Sequence, residues 1–283
     1  MEDVDIGRAV AWAQTHLHRS VVRSEPLAGG MTSTMLALDD DAGGQWVLRL
    51  MTVEPWRSSG PGLTRREASA QAALLGTAVP APRSVALDCE GEACGVSAHL
   101  MSRLPGEPTD GIDEGSVGAM AEMLAVVHDV RPDVPLRTFQ SWAWEAKWVV
   151  PPWTAHPDAW QRAFDLLAAD HPAYEPTFLH RDFSHRNLLW QGGGVSGVVD
   201  WVETSTGPRW LDAGHAATNL AVAFGPEWGR AFLEAYSEVS GSERETHWLV
   251  MDAVGFLPPP GKRPMFGSAE EVARLDAWLV GLL

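Results

Sequence analysis

Positive charge is scarce in this 283-residue chain: 21 Lys and Arg stand against 37 Asp and Glu, a formal net charge of −16. A nucleic-acid backbone is held by Lys and Arg that displace its counterions, so the deficit argues against nucleic acid as a partner. Lysine occurs only at Lys147 and Lys262. Cysteine occurs only at Cys89 and Cys94, too few for a disulfide framework and too isolated for a zinc site, so both read as reduced thiols. No window offers the roughly 18 uninterrupted apolar residues that a membrane span needs. The start, Met1-Glu2-Asp3-Val4-Asp5, lacks a basic region followed by an apolar run. The expectation is a protein of the cytoplasm with no membrane partner.

What is present is the material of a core. Hydrophobic residues fill 45% of positions, near the globular average, and the length suits one large domain or two modest ones. The acid is unevenly spread. Residues 1–104 carry 9 basic and 12 acidic side chains, a net of −3, whereas residues 105–283 carry 12 and 25, a net of −13. Such a field keeps a protein dispersed, and it also attracts cationic ligands.

From Glu25 to about Met101 the pattern is of strands with one helix. Ser33–Leu38 and Gln45–Met51 are apolar runs around the Asp- and Gly-rich stretch 39–44, the mark of an antiparallel hairpin. Thr64–Leu75 has helical Ala and Leu spacing, with Thr64 as N-cap, Glu67 in capping-box position, and Pro80 and Pro82 as stops. Ser84–Asp88 and Gly95–Met101 read as further strands. After Leu104-Pro105-Gly106 the period turns helical, over Ser116–Val130, Trp160–Ala169, Leu211–Phe224, Glu227–Val239 and Ala269–Leu282, with one β-like interruption at Phe178–Trp201. These patterns predict an α+β chain with a sheet-rich first part and a helical second part.

The chemistry is concentrated in Phe178–Trp190 and the following Val198-Val199-Asp200-Trp201. Asp182 and Asn187 lie five apart on a polar loop, and a hairpin turning at Gly192-Gly193-Gly194 would set Asn187 beside Asp200. An Asn amide oxygen and an Asp carboxylate are the hard oxygen ligands that Mg²⁺ takes alongside water and phosphate. Asp182 could then accept the proton of a substrate hydroxyl.

His180-Arg181-Asp182 with Asn187 matches the H-R-D-x-x-x-x-N loop of kinase-like proteins. Together with Asp200-Trp201, Gly207-Pro208 and Asp212, it resembles the aminoglycoside phosphotransferase family more closely than the protein kinases. The resemblance covers nearly the whole chain. It implies a bilobal, protein-kinase-like α+β fold: a small antiparallel-sheet lobe for the nucleotide over residues 1–103, and a larger helical lobe over 104–283 with catalytic loop, metal site and acceptor site. Asp182 would be the catalytic base, Asn187 and Asp200 the Mg²⁺ ligands, and Asp212 a structural brace of the loop. The family usually has Gly where this chain has Arg181.

The same resemblance assigns the small lobe. Gly29, Gly30 and Ser33 would form the Gly-rich turn that faces phosphate oxygens. Arg49 stands where the fold normally has a phosphate-binding Lys, and Glu67 would be its ion-pair partner. With both lysines outside this lobe, no Lys can take the role there; Arg offers a bidentate fork instead, with different geometry. The connector 99–106 resembles the hinge that receives the nucleotide base, with Met101 against the purine.

Other patterns carry competing readings. His180, Asp182 and His185 could suggest a transition-metal site, but no second ligand pair exists at suitable spacing, and His180 reads as a structural histidine. Eleven of fourteen tryptophans fall from Trp142 onward; Trp153 closes a cluster that could wall a substrate pocket or pack helices. Glu203 is the acid placed by motif proximity to meet an amine.

The expected activity is transfer of the γ-phosphate of ATP or GTP, with Mg²⁺, to a hydroxyl of a small cationic molecule. An antibiotic is the leading acceptor class: an aminoglycoside, a basic peptide antibiotic or a macrolide, with resistance as the role. A metabolite kinase acting on choline or homoserine competes, as does a nucleotide-binding regulator without turnover.

Overall fold

Alternation along the first strands separates two kinds of side chain, and the sheet uses both. In the computed structural model, which describes residues 4–27, 32–109, 111–133, 135–262 and 268–283, the chain folds as two compact units. One is Met1–Gly106 with Ser196–Glu203; the other is Glu107–Val195 with Thr204–Leu283.

The first unit holds α1 (Ile6–Leu17), β1 (Val21–Pro26), β2 (Thr34–Asp40), β3 (Gln45–Leu50), α2 (Trp56–Ala73), β4 (Ser84–Asp88) and β5 (Ala98–Ser102). The strands form one antiparallel sheet in the order β1-β2-β3-β5-β4. Leu36, Leu38, Leu48, Leu50, Ala98 and Leu100 share one face, where they pack with Ala9 and Ala13 of α1. The alternate positions point the other way and are partly polar: Met35, Arg49 and His99 lie in register across β2, β3 and β5. Glu67 and Gln71, one turn apart on α2, meet that face through Arg49, His99 and Met101.

The helix α2 begins eight residues before the expected start at Thr64. Thr64 is therefore an interior residue, buried at 1% exposure, and makes no capping bond, while Glu67 faces the sheet rather than the helix terminus. Interior Gly60 and Pro61 weaken helix propensity and hid this first turn in the sequence. The fold tolerates Gly60 because a Cβ there would sit 2.6 Å from Ser97 Oγ, so only glycine permits so close a crossing. Residues 99–102 of the expected connector belong to β5 and are strand.

Ser196–Glu203 packs with this unit although the sequence places it within the larger lobe. Trp201 explains why: it is fully buried, its indole donates to Val198 O at 2.8 Å, and Val198 N donates to Pro80 O at 2.8 Å. Arg66 adds a bond to Val202 O at 2.7 Å. Burying an indole of this size anchors the segment and with it Asp200.

The second unit holds α3 (Glu114–His128), α4 (Pro157–Ala168), β6 (Thr177–Leu179), β7 (Leu188–Gln191), β8 (Gly194–Val198, which continues into the first unit), β9 (Ser205–Gly207), α5 (Arg209–Phe224), α6 (Pro226–Ser240), α7 (Thr246–Gly255) and α8 (Ala269–Leu282). Asp113 caps α3 in a box with Ser116, and Ser268 caps α8 in a box with Glu271. The β7–β8 hairpin turns through Gly192 and Gly193, both at positive φ. α5 is the central helix, buried from Trp210 to Val222. Sequence reasoning did not assign α1, β1, β9 or α7. Among the described residues no helix is long and apolar enough to cross a membrane.

Candidate active site

Two clusters of charge hold the residues singled out above. The first lies on the polar face of the sheet. Arg49 donates to Glu67 Oε1 at 2.8 Å and to Asp200 Oδ1 at 3.0 Å, and its Nε approaches Met35 Sδ at 3.3 Å. His99 bonds the other Glu67 oxygen at 2.9 Å and Ser84 at 3.0 Å. Burial disfavours charge on Arg49 and Glu67 alike, yet their mutual attraction outweighs it. The guanidinium is held further into its charged range by Glu67 and Asp200, and Glu67 is pulled down to about 2 by Arg49 and His99.

The second cluster is built on the loop after β6. Asp212, fully buried on α5, accepts from His180 N at 2.7 Å and from Arg181 N at 2.8 Å, so one carboxylate fixes two consecutive peptides. Asp212 also meets His128 Nε2 at 3.3 Å. Arg181 adopts φ 74°, the left-handed region that favours glycine. Its guanidinium lies 4.3 Å over the Trp142 ring and donates to Gln140 O at 3.3 Å, contacts that a glycine would forgo. His180 is buried and accepts from Asp182 N at 3.2 Å through Nδ1.

Asp182 is thereby set with both oxygens engaged. Oδ2 accepts from Asn187 Nδ2 at 3.0 Å, and Asn187 also donates to Asp182 O at 2.8 Å. Oδ1 lies 3.0 Å from His215 Nε2, and His215 Nδ1 lies 3.0 Å from Asp252 Oδ1. Asp252 and His215 are 1% and 6% exposed in their side chains, whereas Asp182 is 38% exposed. Burial pushes the Asp182 carboxyl up, but His215, His180 and Asn187 outweigh it and hold it below its ordinary value. For His215, burial opposes the charge and Asp252 and Asp182 overcome that, raising it to about 9.

The remaining expected site residues are dispersed. Gly29 and Gly30 lie outside the described residues. Ser33 is buried at 4% exposure, and its hydroxyl has no partner among the described residues. Met101 is buried in β5 with its Sδ 3.5 Å from the Gln71 amide. Glu203 sits 3.5 Å from Arg66. Trp153 packs edge-on against Trp160 and lines a groove of about 570 Å³ with His156, Ser268, Val272, Ala273 and Asp276; no residue bonded to Asp182 lines it. His185 turns into the core against Phe224, and burial lowers it to about 4. His215 and Asp252 were missed. A signal for His215 existed: Asp212, His215 and Asn219 form a polar stripe at helical spacing in an otherwise apolar α5.

Asp182 and Asn187, bonded to each other on one loop that Asp212 braces from α5, form the arrangement that the sequence resemblance implied. Residues 23–251 match the model of the phosphotransferase enzyme family. The chain belongs to that family. It is an ATP-dependent phosphotransferase, a kinase, with a kinase-like fold. Among solved structures, it is similar to a mutant aminoglycoside phosphotransferase APH(4)-Ia in complex with ADP and hygromycin B. The two are 17% identical over 96% of this chain and 95% of that one, at a TM-score of 0.63. It is also similar to the amicoumacin kinase hAmiN in complex with AMP-PNP, Ca²⁺ and Ami, at 14% identity, 98% and 93% coverage and a TM-score of 0.65. A third is the macrolide 2'-phosphotransferase MphH from Brachybacterium faecium, at 18% identity, 89% and 91% coverage and a TM-score of 0.62. No curated protein sequence matches the chain.

Proposed function

We propose that the protein transfers the γ-phosphate of ATP to a hydroxyl of a small cationic antibiotic, with Asp182 as general base. The observation that carries this reading is the state of Asp182: a carboxylate held anionic and aimed by two hydrogen bonds, yet 38% exposed above a buried His215. In the reaction the acceptor hydroxyl gives its proton to Asp182. Its oxygen forms a bond to the γ-phosphorus, and the bond from that phosphorus to the β-bridging oxygen breaks, releasing ADP.

Asn187 and Asp200 are the residues that would hold Mg²⁺. Asn187 fits this role because its amide nitrogen is spent on Asp182, which leaves the amide oxygen as a ligand. The metal would neutralise phosphate charge. Arg49 would meet the phosphates, and the buried Ser33 hydroxyl supplies a donor for the same purpose. Supporting a cationic antibiotic are the net −13 of residues 105–283 and the aminoglycoside named in the APH(4)-Ia complex. Antibiotic resistance, and action in the cytoplasm, follow as the biological setting of this reading.

A second reading is favoured by one observation. Arg49 bonds Asp200, the expected metal ligand, at 3.0 Å, which suits a nucleotide-binding regulator that does not turn over. Thermal shift with Mg²⁺ plus ATP or GTP, followed by a transfer assay on hygromycin B, amicoumacin, a macrolide, choline and homoserine, separates these. Transfer to an antibiotic is expected, and Asp182→Ala should lower kcat by about 10³-fold while changing the KM for ATP less than about threefold. Turnover of choline or homoserine alone would move the enzyme to metabolism. Nucleotide binding without transfer to any of them would favour the regulator, and a D182A variant with most of its kcat would remove Asp182 as base.

A further inference from the structure

The pair His215–Asp252 has a chemistry that bracing the fold does not require. Both residues are buried on helices of the second unit, α5 and α7, and each His215 nitrogen lies 3.0 Å from a carboxylate oxygen. The Trp142 ring meets the imidazole edge-on at 5.2 Å, and the Phe256 ring stacks on it at 5.3 Å. Two rings therefore fix the plane of the imidazole while two acids fix its nitrogens.

The protonation state follows from the neighbours. Both titratable groups that bond His215 among the described residues are acidic: Asp182 from the loop after β6 and Asp252 from α7. Lys147 stands beyond Asp252, but its ammonium donates to Gly255 O at 2.6 Å and lies 4.4 Å over Trp144, and burial lowers it to about 8. Arg181 is directed to Trp142 and Gln140 O. Asp252 Oδ2 has no partner among the described residues, so a neutral His215 would leave a buried carboxylate poorly compensated. One contact points the other way: Asn219 Nδ2 lies 3.1 Å from His215 Nε2. That amide already donates to His215 O at 2.9 Å, while its oxygen accepts from Arg186 at 3.1 Å. A lone pair on Nε2 would face Asp182 Oδ1 at 3.0 Å with no proton between them. Both nitrogens therefore carry protons.

We propose that His215 is a positioning residue for phosphate transfer: an imidazolium clamped by Asp252 that donates to Oδ1 of Asp182 and, with Asn187 on Oδ2, fixes the carboxylate toward the acceptor. The idea rests on Asp182 being the base. It also separates this centre from one in which Asn187 alone orients the aspartate. A base held at both oxygens loses less freedom on reaching the transition state, and orienting groups of this kind contribute about 10–10²-fold or more to turnover.

The first test needs no acceptor. Imidazole ¹⁵N spectra of the nucleotide-free protein at pH 7.5 should show one histidine, absent in His215→Gln, with both nitrogens protonated, and Asp252→Asn should convert it to a singly protonated ring. A His215 with one proton in the native protein overturns the proposal. The second test is kinetic, with ATP and whichever compound of the panel the native protein phosphorylates. His215→Phe keeps the stacked ring without a donor and should lower kcat about 30-fold with the KM for ATP within twofold. His215→Gln restores a donor near Nε2 and should recover most of that loss. In an Asp182→Asn background, His215→Phe should change kcat less than threefold, because the group it acts through is gone. Equal losses in both backgrounds, or a native kcat in His215→Phe, would overturn the role. If His215→Phe does not fold, the ¹⁵N spectra still decide. A native kcat in Asp182→Asn is a different failure: it refutes the base itself.

Discussion

Each unit buries one cation between two acids, and the two clusters differ in which charge is permanent. Arg49 bridges Glu67 and Asp200 with a group that keeps its proton at any ordinary pH, and it is sealed at 7% exposure against a carboxylate at 2%. His215 bridges Asp252 and Asp182 with a group able to lose its proton, and one of its acids is 38% exposed. The first arrangement ties β3 to α2 and to the Asp200 segment. The second leaves the carboxylate proposed as the base partly exposed, with the buried imidazole beneath it. Exposure separates the members of each cluster better than distance does: Glu67 and Asp252 are 2% and 1% exposed while Asp200 and Asp182 are 25% and 38%, although all four contacts fall between 2.8 and 3.0 Å.

The largest break comes from removing the permanent charge. Arg49→Met keeps the apolar stem but leaves Glu67 buried with only His99 as partner. Breaking a buried pair on one side costs about 3–5 kcal/mol, so the urea midpoint should fall steeply. Arg49→Lys should lose less, because one cation still faces Glu67. A loss below about 1 kcal/mol in Arg49→Met would show that the cluster does not hold α2 to the sheet.

Acid and alkali should then separate the clusters. Glu67 is lowered from 4.5 to about 2 on folding, so its contribution is complete above about pH 4.5 and is lost as pH falls toward 2. His215 is raised from 6.5 to about 9, so its contribution is complete below about pH 6.5 and is lost as pH rises through 9. The stability gap between the native protein and Glu67→Gln should therefore close on acidification, and that between native and His215→Gln on alkalinisation. Urea titrations across pH measure both, and gaps that close at the same end would collapse the distinction.

A smaller effect concerns the loop beneath the poised cluster. Arg181 at φ 74° carries about 1–2 kcal/mol of backbone strain, offset in part by its contacts with Trp142 and Gln140 O. Arg181→Ala loses the contacts and keeps the strain, whereas Arg181→Gly loses the contacts and relieves it. Arg181→Gly should be about 1 kcal/mol more stable than Arg181→Ala; the reverse order would mean that the loop is not strained at this residue.

The two clusters were unequally legible in the sequence. Asp182, Asn187, Asp200 and Asp212 lie in short motifs whose spacing survives without knowledge of the fold. Arg49 and Glu67 were named as a pair only through the family resemblance, since local pattern read Glu67 as a capping residue; the structure places the two 2.8 Å apart. The helix itself was read too short, since Gly60 and Pro61 break the period that a packed helix nevertheless spans. His215 was hidden in a helix read for its apolar spacing, and Asp252 lies on α7, which is buried almost all round and has no amphipathic period to announce it. Apart from the polar stripe of Asp212, His215 and Asn219 on α5, a partner chosen by tertiary packing leaves no local trace, so the second cluster could be assembled only once α5 and α7 were placed beside the loop.

Thr64 gives the finest test of how Glu67 is set in place. A capping threonine would make its substitution costly, about 1–2 kcal/mol, and would make Glu67 a terminus residue held by local backbone. The structure instead puts Thr64 one turn before Glu67 inside α2, at 1% exposure, with a hydroxyl that has no partner among the described residues. Valine has nearly the same shape and removes that unsatisfied group, so Thr64→Val should be neutral or stabilising by up to about 1 kcal/mol, and should leave the KM for ATP unchanged. A clear loss of stability in urea would return Thr64 to a helix start, and would make local capping, rather than the charge of Arg49, the reason that Glu67 faces the sheet.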